Sequence, residues 1–245
     1  MSSDLGAVLW KEGRELRAQF GRLRRGGWAL IFLLAVFGVF VPWQMGPGWI
    51  SSPFMAAYWP FVATSMVSSI VADAFAGERE RHTLETLLST PLSDGSILIG
   101  KYLAAVLYGS GLTLLAVALG LVAVNVFHGE GEIFLFTAQR LATIVVLTVL
   151  TAGASAGAGI FVSLRARTAR EAQQVYGIAL TVAMLAPTLA LQAVSDEQRA
   201  AVFEWVRGLD ESAAMMWATF VLASINVALL LLARRRFRRG LLALD

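Results

Sequence analysis

The chain has 245 residues, 57% hydrophobic and only 15% charged, with a mean hydropathy of +0.67; a soluble domain carries roughly a quarter charged residues, so an ordinary soluble fold is excluded. The net charge of +3 would suit nucleic acid in a soluble protein, but here the basic residues border apolar runs, which points to a membrane surface and away from nucleic acid. Without cysteine, and with His82 and His128 far apart in the chain, there is no disulfide framework, no thiolate metal site and no basis for a zinc hydrolase.

The first patterned element covers residues 4–25. Leu5, Val8, Leu9, Leu16, Phe20 and Leu23 recur at three-, four- and seven-residue steps. Basic residues fill the remaining face, which suits anionic headgroups. The spacing predicts an amphipathic helix on the inner membrane surface; packing against a partner protein is compatible with it. Asp4 and the charges that follow are not what a signal peptide is expected to carry over its first ten residues.

Six segments then approach the ~20 apolar residues that a helix needs to cross a bilayer. They are residues 28–44, 54–76, 100–127, 137–164, 174–194 and 213–233, the first being the shortest. Pro60 and Pro187 fall inside spans, where neighbouring helices can satisfy the carbonyls they free. Of the 20 basic residues, only Arg140, Arg199 and Arg207 fall in connections on one side. The positive-inside rule therefore places both termini in the cytoplasm. The expectation is an all-α integral membrane protein of the inner membrane, N-in and C-in. It forms a single transmembrane domain over 1–245: a surface helix (1–26), a six-helix body (28–233) and a basic tail (234–245). Trp43, Trp49, Trp205 and Trp217 are expected at the outer interface. The outer connection 195–212 is acidic-rich and long enough for a short helix around 197–207.

The most informative stretch is the cytoplasmic connection at 73–101. Residues 78–89 hold good helix formers, and Arg81 and Glu85 are spaced to pair on one face. Leu84, Leu87 and Leu88 make an apolar patch. Pro91 discourages helix at Thr90, and Ser93 or Asp94 can cap the third span. The expected product is a short charged helix held tightly between two spans. Such an element either transmits displacement from something docked on it or simply shields the spans.

The pattern GERERHTLETLLSTPLSDGSILIGK resembles the signature loop of ABC transporter permeases of the type-2 exporter class. Its carriers are Glu78, Glu80, Arg81, Thr83, Leu84, Glu85, Leu87, Leu88, Pro91, Gly100 and Lys101. That family often has Gly where His82 stands and Arg near Gly95, departures expected to leave the helix intact. The resemblance implies a permease that pairs, usually as a homodimer, and docks two copies of a cytoplasmic ATPase. It makes residues 78–88 the coupling helix, with Arg79 among its ATPase-facing charges, and the N-terminal helix an elbow beside it. Residues 165–171 become a secondary contact, and 195–212 a cap over the exit. ATP and magnesium would belong to the partner, and this chain would carry no cofactor and catalyse nothing.

One segment imitates a nucleotide site. Residues 95–102 read GSILIGKY, a Gly and a Gly-Lys at P-loop spacing, but Tyr102 stands where a Ser or Thr must reach magnesium. Other residues carry two readings each. Asp73, near the inner end of the second span, is a candidate by depth or a solvated helix-end carboxylate. Gly153, Gly157 and Gly159 give the fourth span a small face, for packing within the chain or against a second copy. Thr64, Ser65, Ser68 and Ser69 line a pathway or bond to their own backbone. The leading function is the membrane subunit of an ATP-driven exporter of unknown substrate. The alternatives are a force-transmitting ABC subunit serving maturation of an extracytoplasmic protein and a secondary carrier. A carrier lacks the deep titratable groups it would need. A membrane enzyme lacks a catalytic constellation.

Overall fold

The computed structural model describes residues 2–21, 28–52, 55–71, 74–208 and 210–237. Asp73 and the basic residues Arg22, Arg24, Arg25, Arg238 and Arg239 lie outside the described residues. Every regular element among those described is helical.

Helix α1 (Ser2–Gly21) precedes α2 (Trp28–Ala35), which runs through a π-helical turn (Val36–Phe40) into α3 (Val41–Met45). A single turn, α4 (Gly48–Ser51), follows, then α5 (Met55–Val71). Two further short helices, α6 (Ala76–Glu80) and α7 (Leu84–Leu88), lead to α8 (Asp94–His128). The last four are α9 (Ala138–Ser163), α10 (Ala169–Ala193), α11 (Asp196–Gly208) and α12 (Glu211–Arg236). The described part of each expected span is helical to within its cap residues, except that the second ends at Val71, with Ala74 and Phe75 in a turn and residues 54, 72 and 73 outside the described residues. Among the described residues, α8, α9 and the Met215–Arg236 part of α12 are long and apolar enough to cross a membrane, and Leu30–Met45 forms a shorter apolar run.

Local chemistry sets the boundaries. α8 begins at Asp94, with its cap where the sequence places it: the Ser93 hydroxyl accepts the Ser96 amide at 3.1 Å. Its 35 residues make it about 52 Å long, longer than a hydrocarbon core of about 30 Å. Thr137 and Thr168 cap α9 and α10 in the same way. Pro60 sits inside α5.

α9 is the axis of the bundle and packs on α5, α8 and α12. Its small residues make this possible. A Cβ on Gly157 would lie 2.9 Å from the Leu229 Cβ of α12, one on Gly159 would overlap Val71 of α5, and one on Gly153 would overlap Asn226. Asn226 takes the space at Gly153. Its amide donates to Leu150 O at 2.8 Å and to Leu222 O at 2.7 Å, and its oxygen accepts from Tyr102 at 2.7 Å. This clasp joins α8, α9 and α12.

Two apolar clusters divide the core. One gathers Val67, Val71, Phe75, Ile97, Ala156, Ile160 and Phe237 near the start of α8. The other gathers Trp49, Trp59, Val62, Met66, Val117 and Val124 toward its far end. Trp49 therefore departs from the sequence expectation. It is fully buried, edge-on to Trp59 with ring centroids 5.4 Å apart, whereas Trp43, Trp205 and Trp217 are exposed.

Candidate functional site: a charged joint

The segment expected as one helix over 78–88 is two. α6 ends at Glu80, and His82 has a φ of +56°, a left-handed conformation that a helix cannot contain. The Arg81–Thr83 turn therefore replaces the expected one-face pairing of Arg81 with Glu85. Leu84 and Leu87, two members of the expected apolar patch, are buried in the core, and Leu88's side chain is not described. The outward edge of this segment is polar, with Glu80, Arg81, His82, Thr83, Glu85, Thr86, Ser89 and Pro91 exposed.

Three consecutive residues of α6 each hold a different part of the molecule. Glu78 is 3% exposed. Its Oε1 accepts from Lys101 of α8 at 3.0 Å and from Lys11 of α1 at 2.6 Å. Lys101, also 3% exposed, donates in addition to Glu12 of α1 at 2.7 Å. A buried charge is tolerable only when its partners replace water, and this ammonium has two carboxylates.

Arg79 points toward the end of α9. Its guanidinium donates to Ala166 O and, at 3.5 Å, to Leu164 O, carbonyls left over beyond the last helical turn. Glu80 points toward the start of α10, where its Oε2 accepts the Ala169 amide at 3.1 Å. A cation thus meets a helix C-terminus and an anion a helix N-terminus, the signs that both dipoles favour. Ser163 completes the attachment, its Oγ accepting the amides of Phe75 and Ala76 at 3.0 and 2.9 Å.

The Gly-Lys pair has a structural meaning here. A Cβ on Gly100 would come within 2.8 Å of the Val8 Cβ, so glycine lets α1 cross α8 closely enough for Glu12 to reach Lys101. Residues 95–102 lie within continuous helix, and the Lys101 ammonium is already shared between two carboxylates. The carboxylates of Glu12, Glu15 and Glu78 converge within 4.8 Å of one another, but the two lysines occupy the space among them that a cation would use. Burial acts to lower the Lys11 ammonium. The hydrogen bond and charge of Glu78, with the charges of Glu12 and Glu15, outweigh it and hold Lys11 above the usual lysine range. Lys11 therefore stays charged, and its bonds intact, until the solution is more alkaline than lysine's ordinary pKa.

The hydroxyls proposed for a pathway turn to their own backbone. Thr64 donates to Pro60 O at 2.9 Å, Ser65 to Phe61 O at 2.9 Å and Ser68 to Ser65 O at 2.8 Å. Thr64 also accepts from Ser155 at 3.0 Å. Ser69's side chain is not described. The sequence reading missed Lys11, Glu12, Ser163 and Asn226. Only Asn226 carried a signal, a lone amide inside an apolar span.

Comparison with known proteins bears on this joint. Residues 54–210, more than half of the chain and including α6, α7 and the start of α8, match the family model described as ABC-2 family transporter protein. Over 122 residues the chain is 30% identical to the ABC transporter permease protein NatB of Bacillus subtilis (strain 168). That alignment covers 46% of this chain and 31% of NatB, so the chain matches about a third of its relative's length.

Proposed function

The chain belongs to the ABC-2 transporter family, and on that premise we propose that it is the membrane subunit of an ATP-driven exporter, driven by a separate ATPase docked on residues 80–89. Membership of this family makes it a membrane-embedded transport subunit. The finer reading is of six spans in a single transmembrane domain, both ends cytoplasmic and α1 as an elbow helix, with the joint facing the cytoplasm across the inner membrane. The permease works as a pair of identical chains, and its substrate crosses between them. ATP and magnesium bind the partner.

The observation that supports this most is the linkage of Glu78, Arg79 and Glu80. Through them a segment with a polar outer edge is fastened to α1, α8, α9 and α10 together. A motor pressing on that edge would move four helices as one body, whereas a loop tied at a single point would yield. The docking face in this reading is polar: Arg81, Glu85 and Thr86 are exposed, and recognition falls to them instead of the buried leucines.

The test is co-purification with an ABC ATPase encoded beside this chain. Glu85→Arg with Thr86→Glu should abolish the complex, and with it any stimulation of ATP hydrolysis, while the permease keeps its yield and helical circular dichroism. An intact, fully active complex would refute the assignment of the docking edge.

A further inference from the structure

We infer that α11 lies on the bilayer surface at the end of the molecule opposite the charged joint, with Val202 and Phe203 turned to lipid, Glu197 and Glu204 to water, and Arg199 setting that orientation. α10 starts beside Glu80 and is 25 residues long, so its last turn lies roughly 37 Å from the joint. α11 begins after only Val194 and Ser195, and α12 begins just beyond it. On the six-span reading proposed above, on which this inference rests, α11 is held at both ends by membrane-spanning helices.

Its start is sharply defined. The Ser195 Oγ accepts the Gln198 amide at 3.3 Å, and the Gln198 side chain accepts the Ser195 amide at 3.2 Å, a reciprocal capping pair. At about 100° per residue, Val202, Arg199 and Phe203 share one side, and Glu197 and Glu204 lie on the other. Trp205 falls at the border, as an interfacial aromatic does. The apolar side is open, Phe203 being 50% and Trp205 66% exposed.

Arg199 decides which way that side faces. Its Nε donates to Leu191 O at 3.1 Å and its Nη2 to Val194 O at 3.4 Å, while Nη1 pairs with Asp196 at 3.3 Å. Leu191 is in the last turn of α10 and Val194 caps it, a helix end that favours a cation. The side of α11 that carries Arg199 is therefore drawn back onto the end of α10, toward the hydrocarbon. Val202 and Phe203 go with it, and the glutamates are left facing solution. The same apolar surface continues into α12, where Met216, Trp217 and Phe220 are exposed. The headgroup–acyl boundary is the environment that such a side fits.

The chain contains no cysteine, so single-cysteine variants need no background changes. Val202→Cys, Phe203→Cys, Glu197→Cys and Glu204→Cys, each carrying an environment-sensitive fluorophore, would be read in vesicles of phosphatidylethanolamine and phosphatidylglycerol. The labels at 202 and 203 should emit at shorter wavelength and be quenched by lipids bearing a nitroxide near the headgroup. Those at 197 and 204 should be quenched by aqueous iodide. Adding Arg199→Ala should shrink the contrast between 203 and 204 at least twofold. Uniform iodide quenching would place the helix in water, and labels at 202 and 203 shielded from both quenchers would place it against protein, such as a second copy; either overturns the inference. A contrast unchanged by Arg199→Ala would remove Arg199 from it. None of these readings involves an ATPase, so they stand or fall separately from the docking proposal.

Discussion

The two ends of this helix bundle are held by different chemistry. At the Lys101 end, charged side chains reach between helices that are distant in sequence, and each bond has a direction and a sign. At the Trp49 end, rings pack: Trp49 lies 5.4 Å from both Trp59 and Phe136, and Tyr58 lies 5.1 Å from Trp59. The Trp49 and Trp59 indole nitrogens have no acceptor among the described residues, so the rings themselves are held by shape, with Arg140 donating to Ile50 O at 2.9 Å beside them. Packing of this kind loses stability gradually as volume is removed. A buried ion network fails abruptly when one member goes, because the rest are left charged and unpaired. The joint is accordingly the end more sensitive to the loss of a single side chain, and the aromatic end the more tolerant.

The largest expected effect breaks that contrast directly. Lys101→Met removes one of the two ammoniums that Glu78 and Glu12 share and leaves Lys11 to hold both, at a cost of about 3 kcal/mol. Trp49→Phe removes only part of a ring whose N–H was unused, and should cost about 1–2 kcal/mol. Unfolding in detergent, followed by circular dichroism, compares the two. Equal losses would mean that the joint is ordinary packing. Adding Glu78→Gln to Lys101→Met should recover at least about 1 kcal/mol, the coupling expected of neighbours in one network.

A smaller effect tests whether the joint reaches the fifth predicted span. Glu80→Ala deletes the carboxylate at the Ala169 amide and should weaken the start of α10 by about 1 kcal/mol. Hydrogen exchange should accelerate at residues 169–172 and not at the start of α9. Glu80→Gln keeps an acceptor without the charge and should lie between. Unchanged exchange at 169–172 in the alanine variant would detach α10 from the joint.

Much of the fold was legible because apolar runs and caps are local signals. The six helical segments, the cap at Ser93 and the family signature could all be read along the chain. The partners in the joint could not. Lys101 and Glu12 are 89 positions apart, and Ala76 and Ser163 are 87 apart; no periodicity connects them. Lys101 was visible as part of a motif, but its role depends on α1 crossing α8 at Gly100, which is a tertiary fact. Trp49 misled for the converse reason. A tryptophan beside a predicted span end reads as an interfacial ring, and only packing shows that it faces inward. Leu84 and Leu87 did the same on the loop, where a compact apolar patch reads equally as a docking surface or as core.

The smallest predicted effect concerns the residue where the sequence reading went furthest astray. His82 stands where the resembling family often has glycine, and the expectation was that the helix would run through it. The φ of +56° shows why glycine is favoured there. The Arg81–Thr83 turn needs a left-handed residue, which costs a side chain roughly 1–2 kcal/mol. Glycine removes that strain and returns part of the gain through the greater freedom of its unfolded chain. His82→Gly should therefore stabilise the protein by up to about 1 kcal/mol, a small change opposite in sign to the other variants. Because His82 is exposed, little packing is lost to offset it. His82→Ala keeps the strain and loses the imidazole, so it separates backbone from side chain: it should not stabilise. If alanine and glycine raised the unfolding midpoint equally, the left-handed turn would not be the cause. The break between α6 and α7 would then be set by the buried anchors on either side, Glu78 and Leu84, and not by the residue at the turn.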